Sequence, residues 1–426
     1  MPNSQLQRFE DTKVQFIDGD RGVDYPSKSE LSKNGDCLFL NTGNVTSTGF
    51  VFDSIDFISF EKDQKLRKGK AAHEDIIMTT RGTVGNVAFF DPTLPFEHIR
   101  INSGMVIVRT DKNEYLPYFL YLFFRSELFR KQCLTNGSGS AQPQLPISAL
   151  KNISIPKLST KTQQTIIDVI QKLDKKIELN NKINTELEVM AKLIYDYWFV
   201  QFDFPDANGK PYKSSGGKMV YNEEIKREIP DDWSVKTLNE LSNRIGDGIH
   251  GTPQYVDVSE FSFINGNNLK NGFIYTDNDT KKVSAKEYDK YFIKLDKNTI
   301  LMSINGTLGN LAVFTDEKVM LGKSSAYINC LEGHRAFCYQ YLKQSYIQKN
   351  FWNIATGSTI KNLSLKSLND LKLSYPNVDL ILKFNELINP LDGKRENIFK
   401  ENKKLIELRN WLLPMLMNGQ VTVKDA

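Results

Sequence analysis

A few residues have types and spacings that chemistry uses. Cys330, His334 and Cys338 lie four residues apart, a spacing that lines three metal ligands along one face of a helix. A structural zinc also needs a fourth ligand and a closed tetrahedral site, and no fourth ligand stands nearby, so these side chains read as packed core and no metal is expected. Asp231 and Asp232, in IPDDW, form a turn rather than an acid-base pair. His250, in GDGIHGTPQ, sits in a glycine-rich loop between strands, where an imidazole can meet a ligand or simply face water. The stretches RGTVGN at residues 81–86 and NGTLGN at 305–310 lack the G-K-[ST] of a phosphate-cradling loop and the G-x-G-x-x-G of a dinucleotide fold. They spell G-x-x-G, which suits a nucleotide-clamping loop and equally a hairpin turn. No catalytic residue stands out.

These loops belong to a larger pattern. IMTTRGTVGNVAFF starts at residue 77 and LMSINGTLGNLAVF at 301, an offset of 224 (301 less 77). At the same offset CLFLNTGNV falls on FSFINGNNL, matching Phe39 with Phe263, Asn41 with Asn265 and Asn44 with Asn268. Farther on, Gly139-Ser140 falls on Gly357-Ser358 at an offset of 218, which persists through Leu173/Leu391 and Leu187/Leu405. The chain is therefore a duplication of a unit more than 200 residues long, far longer than a solenoid repeat. Such a duplication implies internal pseudo-twofold organisation.

Each copy begins as a mixed module. CLFLN, DIIMTT, VAFF and SGMVIVR read as strands between Gly, Asn and Asp turns, and residues 116–134 read as one helix. After ISIP or LKLSYP a long helix begins. In the first copy it starts at a cap, Ser159 or Thr160, and Ile166, Ile170, Leu173, Ile177, Asn180, Asn184, Leu187, Ala191, Ile194 and Trp198 recur at spacings of three and four. That is a coiled-coil seam in which Asn180 and Asn184 fix register. The second copy repeats it with Phe384, Ile388, Leu391, Ile398, Leu405 and Leu412, but Pro390 and Gly393 are expected to kink or interrupt it. Mutual packing of the two helices is expected, with the coil holding the two modules apart.

The expected fold class is α+β: two α/β modules separated by a pair of long antiparallel coiled-coil helices. The expected boundaries are 1–158, first module; 159–200, central helix; 201–228, surface linker; 229–376, second module; 377–413, distal helix; and 414–426, a tail. With 40% hydrophobic and 25% charged residues the chain is a folded, soluble type. A polar start, and a longest aromatic run (YLPYFLYLFF) too short to span a bilayer, predict a cytoplasmic protein. The net charge of +4 permits a polyanionic partner without demanding one.

IPDDWSVKTLNELS, GDGIHGTP, the pair FLNTGNV and FINGNNL, GSAQPQL before ISIP, and the closing LRNWLLPMLMNGQV, in that order, resemble the specificity subunit of type I restriction-modification enzymes. The resemblance covers essentially the whole chain. It implies that the α/β modules are target-recognition domains, each reading one half of a split double-stranded DNA site. It implies two methylation subunits docked on the helices and domains, with Ile170, Leu173, Ile177, Leu187, Ile388, Leu391, Leu405 and Leu412 marking the subunit-interface helices, and two motor-nuclease restriction subunits. It further implies that S-adenosylmethionine, ATP and Mg are held by those partners and no cofactor by this chain. A self-sufficient methyltransferase or restriction enzyme, or a scaffold without a DNA role, are the alternatives.

Within that resemblance, base edges need amide, guanidinium and hydroxyl groups. Arg81, Thr83 and Asn86 in one loop, Asn305, Thr307 and Asn310 in the other, and His250 supply candidates. Arg81 suits guanine and Asn305 adenine. Lys323 and Lys361, and Arg100, Arg125 and Arg130, are candidates for phosphate. The first module lacks a counterpart of the Trp-containing strand IPDDWSVKT, so either it starts upstream or it is completed differently, by the C-terminal tail.

Overall fold

The computed structural model describes residues 6–136, 144–277 and 279–421. The chain divides into two units, residues 1–178 with 403–426, and residues 179–402. The matched segment Gly139-Ser140 and most of GSAQPQL lie outside the described residues.

In the first unit a four-stranded antiparallel sheet has the order Gln15–Asp18, Met105–Arg109, Ile76–Thr79, Val87–Phe89. A second sheet pairs Cys37–Leu40 in parallel with Ile99–Ile101 and is flanked by Phe57–Ile58 and Lys70–Ala71. All four runs read as strands are strands. Alternate residues of Met105–Arg109 feed two cores: Val106 and Val108 pack on the helical side, Met105 and Ile107 between the sheets. The helical segment expected at 116–134 is two helices, Pro117–Phe124 and Glu127–Asn136. Ser126 divides them, because its hydroxyl accepts from Phe129 N at 3.3 Å in the manner of an N-cap.

The second unit repeats this plan. Its sheets run Ser242–Asp247, Ser325–Cys330, Thr299–Ser303, Leu311–Val313, and Tyr255–Val256, Lys282–Val283, Phe261–Ile264, Val319–Leu321, again with one parallel pair. Two helices follow, Arg335–Leu342 and Ser345–Ile354. The repeated asparagines have a local cause. Asn44 Oδ1 accepts from Asn41 N at 3.0 Å while its amide donates to Val51 and Ser54 carbonyls. Asn268 does the same with Asn265 N and Tyr275 O.

The first module does have a counterpart of the Trp-containing strand: Leu6–Arg8 pairs with Ser154–Pro156, as Ser234–Thr237 pairs with Lys372–Tyr375. The first-module strand carries Leu6, Gln7 and Arg8, with no tryptophan among its residues. The unit also takes up the C-terminal segment, with Leu413, Leu416 and Met417 buried in the core that holds Ile166 and Ile170. In the second unit Ala191, Tyr195, Trp198 and Phe199 occupy the corresponding place, together with Phe384 and Ile388. Residues 201–228 are not a bare surface linker. Phe202 and Phe204 are buried against Trp233, at ring separations of 5.3 and 5.4 Å, and Met219–Asn222 forms a hairpin with Arg227–Pro230. The aromatic side chains anchor what its glycines and lysines leave exposed.

The long helices are Thr160–Tyr195, continued by a π-turn at Asp196–Val200, and Val378–Met417. Ser159 caps the first, accepting from Thr162 N at 3.2 Å. The second stays helical through Pro390 and Gly393, contrary to the expected interruption. Proline removes one hydrogen bond, and the turn is held from outside: Ile388 is fully buried, and Asp392 and Arg395 are tied into ion pairs with Arg335 and Glu188. Within the first unit Asp174 meets Arg409 at 2.7 Å. Within the second Asn180 meets Asn402 at 2.8 Å and Glu188 meets Arg395 at 3.2 Å. In the second unit one number rises as the other falls, which is antiparallel pairing. Ile170 and Ile388 are buried, and Leu173, Ile177, Leu187, Leu391, Leu405 and Leu412 are half-buried along these seams. Asn180 is buried and its amide donates to both Glu401 and Asn402, as expected of a register-setting residue, whereas Asn184 Oδ1 is buried without a hydrogen-bond partner. No helix among the described residues is long and apolar enough to cross a membrane.

Candidate nucleic-acid interface

Antiparallel register decides which loops meet. In the second unit Asp247 lies opposite Ala326, and Ser325 opposite Ser303. The end of one strand, the start of the next and the end of the third therefore share one rim of the sheet. Three connections leave there: the loop carrying His250, the turn carrying Lys323, and the turn of Asn305, Thr307 and Asn310. Ile249 N donates to Leu321 O at 2.9 Å, and Asn305 Nδ2 to Lys323 O at 3.3 Å. Gly306 N donates to Lys361 O at 3.0 Å, which brings Lys361 to the same rim. Every second-unit residue expected to touch DNA is thus gathered at one edge. His250, Thr307, Asn310 and Lys323 are exposed, and Asn305 and Lys361 partly so.

The G-x-x-G stretches are tight turns. Gly82 and Gly85 have φ of 74° and 87°, Gly306 and Gly309 of 72° and 83°, the left-handed region that side chains avoid. Each turn closes on a hydroxyl one strand residue before it. Thr79 Oγ1 accepts from Asn86 N at 3.1 Å and donates to Thr83 O; Ser303 Oγ accepts from Asn310 N at 3.0 Å and donates to Thr307 O. The Gly85 and Gly309 amides bond back to Thr79 and Ser303 carbonyls, so they are not free to clamp a nucleotide. The turns instead hold up what they carry.

The first unit presents Arg81 and Thr83, both exposed, on the equivalent turn. Arg81 N donates to Gly104 O, placing it beside the Asn102–Gly104 turn that corresponds to the one bearing Lys323. Asn86 departs from expectation in part: its Nδ2 donates to Val45 O at 3.2 Å, so it braces the turn. Arg100 cannot meet phosphate. It is buried, ion-paired with Asp63, and donates to the carbonyls of Asp63, Leu66 and Lys68 at 2.7 to 2.9 Å. Arg125 lies over the Tyr121 ring at 5.1 Å and near Asp174, a packing role, whereas Arg130 is exposed on its helix.

One rim residue escapes the offset of 224. Asp18 lies opposite Val106 as Asp247 lies opposite Ala326, so DGDRG at 18–22 is the structural partner of DGIHG at 247–251. Arg21 therefore stands where His250 stands. The signal was present in the sequence at an offset of 229 (247 less 18), hidden by a five-residue length difference before Cys37.

The remaining chemical candidates are structural. His334 Nε2 is 2.9 Å from Tyr375 OH and Nδ1 2.9 Å from Glu332 O, with Cys330 and Cys338 buried nearby in sequence. No group of three or more His, Cys, Asp or Glu residues suited to a metal occurs among the described residues. Asp231 sits in a turn and is paired with Lys218 at 3.0 Å.

A family model described as type I restriction modification DNA specificity domain matches residues 20–189 and 230–383. The specificity subunit of the type I restriction enzyme MjaIX from Methanocaldococcus jannaschii is 27% identical over 358 residues, 82% of this chain and 78% of its own. That of HindI from Haemophilus influenzae is 24% identical, over 95% of this chain and 98% of its own. The crystal structure of the S subunit of the type I restriction-modification system of M. genitalium has the same fold, with a TM-score of 0.51 at 17% identity, covering 97% of this chain and 96% of that one.

Proposed function

The chain belongs to the type I restriction modification DNA specificity family, as a non-catalytic specificity subunit whose catalytic work lies in partner subunits, and from that premise we propose how it reads DNA. Each module, within residues 1–158 and 229–376, presents its sheet rim to one half of a bipartite site. In the first, Arg81 and Thr83 face base edges, with Asn86 bracing their turn. In the second, Thr307, Asn310 and His250 do so together with Asn305, whose Nδ2 also donates to Lys323 O, and Lys323 and Lys361 take phosphates. The observation that carries this reading is that one rim is built twice with different side chains on it, as reading two different half-sites requires.

Ile170 and Ile388 are used up in the cores, so it is the outward faces of the long helices, with exposed Leu193, Leu408 and Trp411, that are proposed to receive two methylation subunits, with two motor-nuclease subunits completing the restriction enzyme in the cytoplasm. S-adenosylmethionine, ATP and Mg belong on this reading to those partners. Co-expression with the methylation subunits, followed by mapping of methylated adenines, tests the proposal. A bipartite motif that changes in one half when one module is exchanged is the expected result. Methylation indifferent to this chain would overturn it.

A further inference from the structure

Resting on the reading that these rims face DNA, we propose that the D-G-x-[R/H]-G loop is a second base-reading element in each module, with Arg21 reading guanine in the first half-site from the position His250 occupies in the second. Three observations common to both copies support it. The loop leaves the end of the edge strand of the same sheet, beside the turn that flanks Arg81 in one unit and Asn305 in the other. Its first glycine cannot be anything else, since a Cβ on Gly19 would collide with the Asn102 carbonyl and one on Gly248 with the Leu321 carbonyl. This close approach fixes the loop against the neighbouring turn. Finally, the aspartate three residues before the variable position holds it: Asp18 Oδ1 lies 3.4 Å from Arg21 Nη2, and Asp247 Oδ2 lies 2.9 Å from His250 Nε2.

Arg21 Nη2 also donates to Ser103 O at 3.4 Å, and Ser103 stands where Lys323 stands in the other unit. The turn at 102–104 is thus flanked by two exposed arginines, Arg21 on one side and Arg81 on the other. A guanidinium fork matches guanine O6 and N7 in the major groove. The second rim carries an imidazole, amides and two lysines, Lys323 and Lys361, and no arginine at the equivalent positions. Guanidinium forks thus read the first half-site, and Asp18 acts as a positioning residue that aims Arg21 rather than touching DNA.

The test uses the complex with its methylation subunits and a library of sites randomised in both halves. The wild type must first return a bipartite motif; failure there counts against the functional reading itself and leaves nothing for Arg21 to discriminate. Given that motif, Arg21→Ala and Arg21→Lys are each expected to relax one guanine of the first half by roughly 10- to 100-fold, the scale of one lost bidentate contact, with the second half unchanged. Asp18→Asn is expected to relax the same position more mildly. An unchanged motif at unchanged rate makes Arg21 a surface ion pair and overturns the inference. A uniform fall across all sites makes it a phosphate contact and overturns it equally.

Discussion

Arg81 and Asn305 occupy the same point of the same turn, yet one carries a forked cation and the other a neutral amide. Arg81→Ala should cost about 1 to 3 kcal/mol in discrimination at one base pair of the first half-site, measured by fluorescence anisotropy of the methylation complex on single-base variants. Against the other sheet of the first unit, buried Asp63 is paired with Arg100 and Lys70. Burial pushes its carboxyl up, but the Lys70 and Arg100 contacts outweigh this and hold it below the usual carboxylate value. Its stabilisation is therefore present above the unfolded pKa of about 3.9 and is lost as pH falls through the lower folded value. Asp63→Asn should destabilise the first unit by about 3 to 5 kcal/mol at neutral pH, because Arg100 is left buried and unpaired, and should flatten the acid limb of the denaturation profile. At this scale the sequence was a partial guide. Residue types named the Arg81 and Asn305 turns, but nothing in the string distinguished an arginine folded inward, Arg100, from one facing out, Arg21. That distinction depends on which strands pair.

At the scale of elements, periodicity was the more faithful guide. The seam spacing, the Ser159 cap and the strands were legible because each follows from local pattern. The division at Ser126 was not, since an apolar run masks a cap formed by a single hydroxyl. Nor was the continuity through Pro390, which depends on ion pairs far away in the chain. The Asn180–Asn402 contact, whose two side chains are both buried, offers a test of what the polar layer does. Asn180→Leu alone should destabilise by about 1 to 3 kcal/mol, since it leaves the Asn402 carbonyl without its donor. Replacing both by leucine should be neutral or stabilising while loosening register. Shifts of the denaturant midpoint in the two variants check the contrast.

For the whole molecule, a net charge of +4 over 426 residues limits how many phosphates this chain alone can neutralise. The isolated subunit should bind DNA weakly, with a shallow slope of log affinity against log salt that steepens when the methylation subunits join. Ending the chain at Asn402 should unfold the first unit preferentially. It removes Leu413, Leu416 and Met417 from a core in which each is buried, a loss of roughly 5 to 8 kcal/mol, and proteolysis should then cut first within residues 6–136. The duplication was plain in the sequence, but the folded division was not, because similarity along the chain marks what was copied and not what packs together. The folded borders fall inside the two long helices, at 178/179 and 402/403, and not at the 201–228 stretch. This has a bearing on inheritance. A genetic exchange that carried residues 1–200 as a block would bring along the segment that completes its neighbour and leave behind the one that completes itself. On the proposed function, exchanges that yield a working reader of a new sequence should be those whose joints lie within the helices, where each incoming module finds its missing piece already encoded.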